Sequence, residues 1–159
     1  MNKTINTWLE FLILIIFLIP VVVNDIRNHR IPDILIFTCL GMIILSRIIF
    51  KYNLSYQLFL NALIGYFFIW ALWHLTNGKI GKGDAKLSGL IALILGLAKW
   101  LLAMFLAAFS GILIGLLLIW TTKMKKEERL PFAPFLAGGS ICSFFLGDYI
   151  IRMIYGIKL

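Results

Sequence analysis

A chain of 159 residues that is 62% hydrophobic and 14% charged, with a mean hydropathy of +0.99, is too apolar for a water-soluble domain and takes the lipid bilayer as solvent. The net charge of +8 does not indicate nucleic acid, because the basic residues fall in short stretches between apolar runs, where retained cytoplasmic charge belongs. Cys39 and Cys142 sit in separate apolar runs without a CxxC pair or paired histidines, which argues against a zinc module or disulfide framework and for small buried side chains.

The first apolar run, 8–24, lacks a small-residue cleavage site, and its Pro20 is followed by three valines and Asn24-Asp25. It reads as a retained helix, not a signal peptide. A second span, 33–50, begins after Pro32 with Asp33, an acid suited to a helix start. A third, 56–76, includes His74, which reads as a packed helix histidine. The long run Leu87–Trp120 is broken only by Lys99, which splits it into spans 85–98 and 100–122. The first of these is short for a crossing, so it is expected to start at the membrane surface or lie partly inside the bundle. Along the fifth span, Ala103, Ala107, Gly111 and Gly115 recur every four residues, a small-residue strip for close helix packing. The last span is 131–151. The expected fold is all-α: one polytopic membrane domain over 1–159 with about six transmembrane helices.

Arg27, Arg30, Lys79, Lys82, Lys86, Lys123, Lys125, Lys126 and Arg129 follow spans one, three and five, and make up nine of the 15 basic residues. This bias predicts both termini outside and the three odd-numbered loops in the cytoplasm. Trp8, Trp100 and Trp120 fall near span ends, as an interfacial aromatic belt would have them.

The acids are few. Glu10 lies near the outer end of span one, and Glu127 and Glu128 lie among lysines. Asp148 has Arg152 one helical turn later and is expected to form a surface ion pair with it. Asp25 and Asp84 remain, 59 residues apart in sequence yet at the same predicted membrane face. An acid at a bilayer edge is costly unless paired or used. Each could pair with a neighbouring base such as Arg27, Lys82 or Lys86. If instead the two acids meet, they share one proton: the ionised member takes a proton from water and the other donates to a carbonyl oxygen. That is aspartic-peptidase chemistry. Glycines 78, 81 and 83 would allow close backbone approach to an extended peptide. A membrane transporter or assembly protein is the competing class, but it predicts mid-membrane acids and internal repeats, and the sequence has neither.

Three stretches, in order, carry a resemblance that covers essentially the whole chain. DIRNHRIPD at 25–33, GKGDAKL at 81–87 and LPFAPFLAGG at 130–139 resemble the motifs of the type IV prepilin peptidase family. The resemblance implies that Asp25 and Asp84 are catalytic aspartates and that no metal or cofactor is needed. It further implies a prepilin or pseudopilin substrate with a basic leader, cut at the cytoplasmic face of the plasma (inner) membrane. Preflagellin peptidases are a near neighbour. Gly81, Gly83, Lys82 and Lys86 are the candidate substrate-binding residues, the lysines for acidic groups of the substrate or for lipid headgroups. Two features depart from the family's common pattern. Asp33 stands where Asn usually follows Ile-Pro, which adds a third carboxylate near the pair. The link between spans one and two is short and has no cysteine pair, so methyltransferase activity is not expected.

Overall fold

Breaks in the helical pattern fall where the backbone chemistry requires them. In the computed structural model, which describes residues 2–51, 55–78, 81–122 and 130–155, six α-helices follow one another with no strand among the described residues. Lys79 and the basic 123–129 segment of the topology argument lie outside the described residues. Helix α1 (Asn2–Asn28) ends at His29, which takes a left-handed φ of 49° ahead of Ile31-Pro32. Helix α2 (Asp33–Ile49) starts directly after that proline, which cannot continue a helix from the preceding turn. Ser55 caps α3 (Tyr56–Leu75) by accepting the Gln57 N–H, and α3 ends in left-handed Asn77 and Gly78. Gly81 precedes α4 (Lys82–Leu95).

The break before α5 (Leu97–Thr122) falls at Gly96, three residues ahead of Lys99. Its φ of 77° is one that glycine adopts without strain, whereas Lys99 continues comfortably inside α5. Helix α6 (Ala133–Tyr155) completes the chain's described elements.

Four of these helices are long and apolar enough to cross a bilayer: α1, α3, α5 and α6. With 14 residues, α4 is only about 21 Å long, well short of the hydrocarbon core. Its surroundings explain how so apolar a short helix is stable. Among the described residues α4 touches every other helix, and Ala85 and Leu87–Leu95 are all buried. The other five wrap it in the order α2, α1, α6, α5, α3, and the ring stays open between α2 and α3, which do not touch. The chain is a polytopic helical membrane protein: its outer face carries Ile16, Ile34, Phe105, Ile112 and many other exposed apolar side chains, as lipid contact requires.

The tightest crossings use small residues. A side chain at Gly65 of α3 or Gly89 of α4 would run into the facing helix, so these glycines let the two backbones meet. Ser88 seals that crossing by donating to the Gly65 carbonyl at 2.9 Å while accepting the Trp100 indole N–H at 2.9 Å. Trp100 is therefore a core residue, 1% exposed, and not part of an interfacial belt, whereas Trp120 is 90% exposed. The strip on α5 packs closely against another helix as expected, and that helix is α6: Ala103 and Ala107 are fully buried, and Gly139 of α6 sits against their backbone.

Charges near the other end of the bundle are paired. Arg47 of α2 meets Glu10 of α1 at 2.6 Å, with both side chains mostly buried. Asp148 pairs with Lys99 at 2.8 Å and not with Arg152. Ser143 donates to the Lys99 carbonyl, which holds the start of α5 against α6 and brings that lysine within reach.

Candidate active site

Asp25 lies one turn before the end of α1, and the fold brings four other helix ends to it. The start of α2, the end of α3 and the first turn of α4 line a cavity of about 600 Å³ that contains both Asp25 and Asp84. The start of α6 reaches the same place: the Ala133 N–H donates to Asp25 Oδ2 at 3.0 Å. Ala133 is the first residue of α6, so this N–H has no partner inside its own helix and would otherwise be orphaned. Asp84 is held differently. As the third residue of α4, it folds back so that its Oδ2 accepts the Gly81 N–H at 3.1 Å. Its other oxygen, Oδ1, is buried without a hydrogen-bond partner among the described residues.

Both carboxyl groups are shielded from solvent, Asp25 at 6% and Asp84 at 4% exposure. Burial pushes Asp84 up to about 7, and the negative charge of Asp25 adds to that rise, while the Gly81 N–H pulls the other way. The alternative of separate pairing with Arg27, Lys82 or Lys86 is not what the described residues do: neither aspartate has an ion-pair partner. Lys86 bonds Asp33 at 2.6 Å, and Lys82 lies over the Trp73 ring at 4.5 Å. Asp33 lines the cavity, so the third carboxylate is indeed near the pair. The three acids do not form a metal-ligating group among the described residues.

All four residues marked as candidate substrate contacts, Gly81, Gly83, Lys82 and Lys86, line the cavity. His74 does not; it is exposed and packs edge-on against Trp70 and Trp73. Sequence reasoning missed Trp73, His29, Arg30 and the Ala133 N–H. The prolines of LPFAP could have pointed to the last of these, since they fix a helix start and leave a free N–H there. Two shielded carboxyl groups that line a shared cavity, one raised by burial and further by the other's charge, can hold one proton between them and polarise a water.

Residues 12–116 match the model of the type IV leader peptidase family, a stretch that includes both aspartates. The chain belongs to this family. A prepilin leader peptidase/N-methyltransferase of Bacillus subtilis is 34% identical over 147 residues, covering 92% of this chain and 59% of that protein. Proteins with the same name from Burkholderia pseudomallei and Pectobacterium carotovorum are 35% and 29% identical, over 61% and 87% of this chain and 33% and 51% of theirs. The chain thus spans about half the length of the curated relatives it matches. No solved structure matches the chain significantly.

Proposed function

We propose that the chain is an aspartic endopeptidase that removes the leader from prepilin-like substrates, with Asp25 and Asp84 sharing one proton. The observation that supports this reading is that two buried carboxyl groups from different helices line one cavity. A water held between them is the nucleophile. Asp84, raised by burial, keeps the proton; Asp25 takes one from the water as its oxygen attacks the scissile carbonyl carbon. Asp84 gives its proton to the carbonyl oxygen, producing a neutral tetrahedral diol. Collapse of the diol breaks the C–N bond, the amine leaves with the proton held by Asp25, and one diol hydroxyl becomes the new carbonyl oxygen as its proton returns to Asp84. The Ala133 N–H keeps Asp25 aimed at the water throughout.

Family membership supports a prepilin or pseudopilin substrate with a basic leader. The excess of basic residues after spans one, three and five supports a dyad facing the cytoplasm from the plasma membrane. The proposal concerns the peptidase half of the relatives' name only. It is tested by reconstituting the chain in nanodiscs with a prepilin and weighing the products. Release of an intact leader ending in glycine is expected; an uncut prepilin under conditions where a known family member cuts it fully would contradict the reading.

A further inference from the structure

The segment GKGDAK, 81–86, has the look of a substrate-binding surface: glycines for close approach and lysines for charge. Its contacts say otherwise for three residues. The Gly81 N–H is donated to Asp84 itself. At Gly83, a Cβ would lie 2.7 Å from the Ile31 Cβ, so this glycine exists to let the α1–α2 link press against α4. Lys86, one turn on and on the same helix face as Gly83, reaches Asp33 at the start of α2. Ile31 of the link and Asp33 at the start of α2 thus dock on positions 83 and 86 of α4, and Asp84 lies between those two attachments.

The same link is tied back to Asp25. The His29 N–H donates to the Asp25 carbonyl at 2.9 Å, and the Asn24 side chain donates to the Arg30 carbonyl at 3.2 Å. These bonds tie the link to the last turn of α1, which holds Asp25, so whatever fastens the link to α4 bears on how Asp25 faces Asp84.

We propose that Asp33 and Lys86 are positioning residues: their ion pair, with the Ile31–Gly83 contact, forms a clasp that fixes the spacing of the two aspartates. This rests on the peptidase reading and assigns the pair a part in it. The pair is partly exposed, Lys86 at 33% and Asp33 at 58%, so it adds little to overall stability. Its effect is on geometry, where a displacement of about 1 Å can cost a hundredfold in rate. The clasp also gives a reason for an acid at position 33, since an Asn there would leave Lys86 without a charged partner.

The test is steady-state cleavage of a prepilin by the full chain in nanodiscs, with prepilin concentration varied. Asp33→Asn and Lys86→Met should each lower kcat about five- to tenfold with KM within twofold. The reversed pair, Asp33→Lys with Lys86→Asp, should recover kcat to within twofold of wild type, which a disturbed fold or a lost substrate contact would not do. A rise in KM at unchanged kcat, relieved by changing the charge of the prepilin, would overturn the clasp and make the pair a substrate contact. Unchanged kinetics in both single variants would also overturn it. Asp25→Asn and Asp84→Asn run alongside separate the two questions: if they cut normally, the peptidase reading itself fails.

Discussion

Among the described residues, the bundle has buried charge at two places, and it treats them in opposite ways. On the side away from the cavity, Glu10 and Arg47 are a plus and a minus at 2.6 Å, an arrangement that neutralises both. On the cavity side, Asp25 and Asp84 are two acids brought together, and one oxygen of Asp84 has no partner among the described residues. Lysines stand close by at positions 82 and 86 yet are occupied by Trp73 and Asp33. A fold selected for stability alone would pair charges as it does at Glu10. Accepting a like-charge pair in a shielded place is costly, and such cost concentrates where chemistry needs a shifted proton.

The contrast can be broken from the Glu10 side with the largest effect on stability. Arg47→Met strands a buried carboxylate and should cost about 3 kcal/mol of unfolding free energy, read as a lower thermal midpoint in nanodiscs. Cleavage per folded molecule should stay near wild type, since the pair lies away from the dyad. The pH dependence sharpens the other side. Asp84 holds its proton below its pKa of about 7 and loses it above, and the dyad needs that one proton. Cleavage should therefore fall as pH rises past about 7, by roughly tenfold per unit once well beyond it. A rate that stays flat to pH 9 would mean that Asp84 is not the proton donor. The smallest effect belongs to the exposed pair: Asp148→Asn removes a carboxylate 69% exposed and should change stability by less than about 1 kcal/mol and cleavage not at all.

The parts of this architecture that depend on local chemistry can be read from the chain. Apolar runs mark the helices, Pro32 and Gly78 mark their ends, and scarce acids single out Asp25 and Asp84. What depends on tertiary proximity cannot. Nothing near Glu10 in sequence announces Arg47, 37 residues on, and the turn-spaced Arg152 is a better local guess for Asp148 than Lys99. Trp100 looks interfacial by position because its burial depends on where Ser88 lies. Placing the α4–α5 break at Lys99 follows hydropathy, whereas the helix ends where Gly96 can turn the backbone. The GKGDAK segment is easy to find, but the partners of Gly83 and Lys86 are Ile31 and Asp33, some 50 residues away.

The most direct measurement is cleavage of a prepilin in membranes by wild type, Asp25→Asn and Asp84→Asn at matched expression. Loss of at least about a thousandfold in each single variant is expected, because neither carboxyl group can serve as both base and acid. Near wild-type cleavage by either variant would contradict a shared-proton dyad and leave that aspartate a structural residue.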